Sequence, residues 1–157
     1  NTVTLAGYIN LLNESGLLCG LQKFSIDNAR RKASIPKLQV YNNALKMVYN
    51  SLSFEQSLLD RKHWGRIFES GIGAYLVSQA FTHRFEVYYW RERNDEVDFI
   101  LRKNNSLIAI EVKSNAEKNT SGLDKFRQNF NPDKAFIVGE GGITPEEFLS
   151  MNIKKLF

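Results

Sequence analysis

The sequence predicts an α/β fold with a mixed sheet flanked by helices, and three observations carry that prediction. From residue 64 onward the hydrophobic periodicity runs helix, strand, strand, strand, helix, strand. Two alternating segments, Glu96–Arg102 and Leu107–Lys113, flank a polar Lys-Asn-Asn-Ser turn, which is a hairpin signature. The stretch 64–82 is a long helix pattern carrying Gly71 and Gly73. Glycine costs a helix roughly 1 kcal/mol against alanine, so these two point to close packing against a sheet.

The remaining elements follow in chain order. Residues 2–15 have the spacing of an amphipathic helix through Val3, Ala6, Ile9 and Leu12, and Gly16 is a fitting stop. Leu17–Phe24 and Lys37–Tyr41 are expected strands around a polar, basic loop over 25–35. A helix followed by such a ribbon is either the back half of a winged helix or an ordinary helix-plus-hairpin scaffold. Residues 43–63 form a connection with one or two short helical pieces. Phe85–Trp90 has the aromatic and β-branched content of a strand. Leu123, Phe126 and Phe130 make 121–130 an amphipathic helix, Lys134–Val138 is a strand, and Pro145–Met151 is a short helix with proline in its first turn. Ile153–Phe157 is expected as a last edge strand.

Composition narrows the class. With 157 residues, 43% hydrophobic and 24% charged, the chain suits one globular domain, or one domain with a small attachment. No apolar run approaches the ~18 residues of a membrane helix. No secretory signal is visible, and the expected location is the cytoplasm. Asn1 stands where a start methionine would, so the chain is expected to be a piece of something longer. One cysteine, Cys19, excludes an internal disulfide and a Cys-based zinc site, and two histidines leave little for histidine-rich metal chemistry. A net charge of +4 is compatible with a polyanionic partner such as nucleic acid.

The hairpin holds the residues that point to chemistry. A turn centred on Asn104–Asn105 sets Asp98 opposite Glu111 and Glu96 opposite Lys113, all on one face because side chains alternate. Val97, Phe99 and Leu101 would share the other, apolar face with Ile108, Ile110 and Val112. Like charges directly opposite repel, so Asp98 and Glu111 call for a cation, a shared proton or a nearby lysine such as Lys113. Glu69 lies on the helical stripe of Ile72, Gly73 and Leu76 and would point toward them. Carboxylates beside a lysine make a hard-oxygen site for Mg²⁺ or Mn²⁺. The competing reading is a surface salt-bridge cluster on a solvated face. Arg30, Arg31 and Lys32 in the basic loop and Arg91 and Arg93 near the hairpin end are candidate phosphate contacts.

Asp98, then twelve residues, then Glu111-Val112-Lys113 resembles the D…ExK core of the PD-(D/E)XK nuclease superfamily. The resemblance implies an αβββαβ core, metal ligation by Asp98 and Glu111 with Glu69 as an auxiliary ligand, and a role for Lys113 at the attacking water. Val97 stands where the formal motif has proline. Gln128 falls where some of these nucleases use a glutamine, and Pro132 replaces the tyrosine expected four residues later. The ordered run TLAGYINLLNESGLL, PKLQVYNNAL, WGRIFESGIGAYL, VYYWRERNDEVDFIL and IAIEVKS resembles the C-terminal region of a family of bacterial and archaeal AAA-type ATPases. That likeness implies a partial winged-helix segment over 1–50 and a nuclease-like domain over 51–157. It further implies an upstream ATPase domain in the same full-length chain as partner. No G-x-x-x-x-G-K-[ST] is present, so no P-loop ATP site is expected here. The alternative to a nuclease is a non-catalytic module that binds nucleic acid or protein, or one that assembles the ATPase as a homo-oligomer.

Overall fold

The computed structural model describes residues 2–27, 34–115 and 121–157. The helices are α1 (Thr2–Glu14), α2 (Asn43–Val48), α3 (Phe54–Leu59), α4 (Arg61–His83), α5 (Ser121–Phe130) and α6 (Pro145–Ser150). The strands are β1 (Leu18–Lys23), β2 (Lys37–Val40), β3 (Glu86–Glu92), β4 (Asp95–Lys103), β5 (Ser106–Lys113) and β6 (Lys134–Gly139). They form one six-stranded mixed sheet in the order β2-β1-β3-β4-β5-β6. β1 joins β3, and β5 joins β6, in parallel; the other neighbours are antiparallel. Among the described residues no helix is long and apolar enough to cross a membrane.

Each face of the sheet has its own core. On one side α4 delivers Ile72, Leu76 and Val77 onto Phe99, Leu101, Ile108, Ile110 and Val112, and α6 adds Phe148. On the other, α5 delivers Leu123 and Phe126 onto Tyr88, Trp90, Val97, Ile100 and Ala109. Phe24, Trp90, Phe126 and Phe130 meet edge-on or tilted there, with ring centroids 4.6–6.1 Å apart. Of the two glycines, Gly73 meets the close-packing expectation, since a Cβ there would overlap Gln39 and Phe99. Gly71 has room.

The central hairpin has the expected register, with Phe99 paired to Ile110 and Lys103 to Ser106. Its faces differ from the expectation. Between the Tyr88–Ile100 and Trp90–Val97 pairs, β4 sets Asp98 and Phe99 against the single Tyr89 of β3. This β-bulge breaks the strict alternation. Val97 therefore packs under α5 with Ile100, not with Phe99 and Leu101.

Two further differences have local causes. α4 begins at Arg61, before the expected Trp64, because the Asp60 side chain caps it by accepting from the His63 amide at 3.0 Å. The end of the chain is a 3-10 turn over Ile153–Leu156, not an edge strand. Residues three apart eclipse in such a turn, and this brings Ile153 and Leu156 together into the core. The basic residues Arg30, Arg31 and Lys32 lie outside the described residues.

The start of α5 is fixed to β4 through Asp95. The Lys125 ammonium and the Ser121 hydroxyl each donate to its carboxylate at 3.0 Å, and they hold its pKa below the ordinary range. A depressed folded-state pKa gives stability that is present above the unfolded value, about 3.9, and lost as pH falls through the folded one. Denaturant midpoints measured from pH ~5 down to ~2 should fall more steeply for the native chain than for Asp95→Asn. Parallel curves would show that this contact does not contribute.

Candidate functional site

Asp98, Glu111 and Lys113 are 2%, 3% and 6% exposed. Charged groups are rarely so enclosed unless paired, so a solvated salt-bridge cluster does not describe them. The bulge turns Asp98 toward α4. Past the Phe99–Ile110 pair the carboxylate itself takes the next strand's amide, as Asp98 Oδ2 accepts from Val112 N at 2.8 Å. Asp98 thus sits directly against the Glu-Val-Lys segment.

Asp98 and Glu111 are not a ladder pair, because the β4–β5 pairing ends at Phe99–Ile110. Glu111 lies between Ile110 and Val112 on β5 and pairs with Ile137 of β6. Its Oε2 atom is buried and accepts no hydrogen bond. Glu96 is paired with Lys37 and Arg91, at 3.4 and 3.8 Å, in place of the expected Lys113.

Lys37, at the start of β2, is the residue that sequence reasoning missed. Its ammonium lies 2.5 Å from Glu69 Oε1, 3.4 Å from Glu96 Oε1 and 3.7 Å from Asp98 Oδ1, and 5.5 Å from the centroid of the Phe99 ring. Glu69, from α4, meets the same lysine as Asp98. Burial opposes the Lys37 charge, but Glu69, Asp98 and Glu96 outweigh it and raise its pKa above the ordinary lysine value.

Beside Glu69 and Val112 opens a cavity of about 350 Å³ whose rim carries Arg61, Lys62 and Arg66 from the first turns of α4. Their spacing along one helix was a legible sign of a basic face, yet nothing in the sequence set them beside the carboxylates. Arg91 is 63% exposed at its side chain, and Arg93 is exposed in the β3–β4 turn with φ +56°. Gln128 is exposed on α5.

A family model described as a domain of unknown function (DUF4143) matches residues 64–149. The chain belongs to this family. No curated protein and no solved structure matches it. The DUF4143 match takes in Glu69, Glu96, Asp98, Glu111 and Lys113 and does not reach Lys37. The acidic side chains thus belong to the DUF4143 segment, and the cation among them comes from outside it.

In chemistry the donor set suits a hard divalent ion, since every candidate ligand is a carboxylate oxygen and a cation, the Lys37 ammonium, already stands among them. In this structure the Lys37 ammonium stands at the point where Glu69, Glu96 and Asp98 converge.

Proposed function

We propose that this DUF4143 domain is a PD-(D/E)XK nuclease-like domain from the C-terminal part of an AAA-type ATPase, and that its centre acts on nucleic-acid phosphodiesters with Mg²⁺ or Mn²⁺. The observation that carries the reading is the burial of Asp98, Glu111 and Lys113 on two neighbouring strands, with Asp98 bonded to the amide between the other two. Soluble domains do not enclose three charged groups within one hairpin without a use for them or a compensating network. The order α4-β3-β4-β5-α5-β6 supports it too, being the αβββαβ order of that superfamily.

Asp98 and Glu111 would hold the metal, with Glu69 as an auxiliary ligand. When bound, such an ion supplies a hydroxide near neutral pH and neutralises charge on the scissile phosphate. Lys113 contributes a fixed positive charge for phosphoryl oxygens, and its burial strengthens that charge by excluding water. Arg91 and Arg93, together with Arg30, Arg31 and Lys32, would hold the backbone of the nucleic acid without reading its sequence.

The test is cleavage of labelled duplex DNA, single-stranded DNA and RNA in Mn²⁺ by the native chain and by Lys113→Ala. At least a hundredfold loss in the variant is the expected result. Equal cleavage by both would assign the activity to a contaminant.

One observation favours a second reading, that of a non-catalytic nucleic-acid-binding module: the Lys37 ammonium already neutralises much of the carboxylate charge. That reading predicts salt-sensitive retention of DNA that survives Asp98→Asn, with no cleavage at all.

A further inference from the structure

We infer that Lys37 is a tethered cation that keeps the carboxylate centre closed, and that a divalent ion enters only when this ammonium is withdrawn. The inference rests on the reading of the centre as a divalent-cation site and concerns its regulation.

The geometry is that of an occupied cation site. Glu69 comes from α4, Glu96 and Asp98 from β4, and their oxygens converge on a single Nζ. An ammonium is a compact point charge that gathers several oxygens at once, as a metal ion does. A second cation cannot share these oxygens without standing against the first, and like charges at such separations repel strongly away from bulk water. Lysine also sits on a flexible four-carbon stem, so it can leave while the carboxylates stay.

The element that carries Lys37 joins the sheet by a short ladder and anchors Leu21 and Phe24 in the two cores. β1 pairs with β3 only at Gln22–Tyr88 and Lys23–Tyr89, extended by Phe24 N donating to Tyr89 O at 2.6 Å. By comparison β5 and β6 pair from Ile108–Lys134 to Lys113–Gly139. β2 is paired along β1, and its side toward α4 carries the Gln39 amide donating to Ser70 O at 3.0 Å, the Tyr89 hydroxyl donating to Ile35 O at 2.7 Å, and Lys37 itself. Ribbon docking and metal entry therefore draw on the same carboxylates. Linkage makes the coupling reciprocal: whatever displaces the ribbon raises cation affinity by the factor with which the cation weakens docking.

The experiment is calorimetric titration of Mn²⁺ into the full chain, Lys37→Met and Lys37→Arg. Lys37→Met should bind at least tenfold more tightly than the native chain, and Lys37→Arg no more tightly. Equal, measurable affinity for all three would overturn the inference and leave the divalent centre standing. Absence of binding in all three would overturn the centre and the inference together. Should Lys37→Met fail to fold, amide hydrogen exchange of the native chain decides. Saturating Mn²⁺ is expected to speed exchange severalfold across Lys37–Val40, and unchanged exchange in the metal-bound chain counts against the tethered cation alone.

Discussion

Asp98→Ala should destabilise the fold by about 2–3 kcal/mol, while Asp98→Asn should cost about 1 kcal/mol or less. The difference lies in one hydrogen bond. Asp98 Oδ2 accepts the Val112 amide at 2.8 Å inside the protein, where the paired ladder of β4 and β5 has already ended at Phe99–Ile110. Alanine takes away the acceptor that Asp98 supplies, and loss of a partner to a buried donor costs about 1–3 kcal/mol. It also removes one of the carboxylates around Lys37, though Glu69 and Glu96 remain at 2.5 and 3.4 Å. Asparagine keeps an oxygen for the amide and gives up only the charge. Urea denaturation should show a lower midpoint for the alanine variant with an unchanged slope. Equal midpoints for the two variants would mean that the bond contributes nothing. The functional lesson is practical: loss of cation binding or cleavage in Asp98→Ala mixes folding with chemistry, and Asp98→Asn separates them.

Gly139→Ala should be more damaging, at about 3–5 kcal/mol, which is a large share of the roughly 5–15 kcal/mol that holds a typical domain. Gly139 has φ +105°, a region that an L side chain occupies at a cost of about 1–3 kcal/mol. A Cβ there would also overlap the carbonyl oxygen of Lys113, a backbone atom that already accepts from the Glu140 amide at 2.9 Å and cannot easily retreat. Overpacking of this kind adds about 1–3 kcal/mol. Gly141→Ala is the control. Its φ is +76°, but nothing lies within 4 Å of the added carbon, so only the backbone strain is felt. Thermal or urea unfolding of both variants should separate the two effects. Equal losses would show that the approach to Lys113 is not tight.

How much of this was legible in the sequence depends on the range over which each feature is encoded. The helices and strands from residue 64 follow local periodicity, and the turn at Asn104–Asn105 set the hairpin register because its two strands alternate cleanly on either side. The burial of Asp98, Glu111 and Lys113 was foreshadowed by the apolar residues among them. The bulge was not, because the alternation of Val97, Phe99 and Leu101 fits a flat strand, and only pairing with β3 reveals the additional residue. That one residue separates Val97 from its expected partners and sets the Asp98 carboxylate on the Val112 amide. Lys37 was invisible for a different reason. Nothing in the sequence near it suggests that its ammonium would meet Glu69, and the contact arises because β2 lies beside α4, where the Gln39 amide donates to Ser70 O. The final turn was misassigned because Ile153 and Leu156 suit a strand as well as a turn when only composition is weighed.

The long sequence separation of the β1–β3 pairing has a consequence for the order in which the molecule forms. The β3–β4 and β4–β5 hairpins join neighbours in the chain and close short loops, whereas Gln22 must find Tyr88 across most of the first half of the sequence. Contacts of high sequence separation bear the larger loop-closure entropy and tend to be made late. The central strands with Glu96 and Asp98, and α4 with Glu69, therefore assemble before the ribbon arrives. In that order the carboxylates gather before Lys37 reaches them, so their mutual repulsion falls on the early stages of folding and its relief on the last.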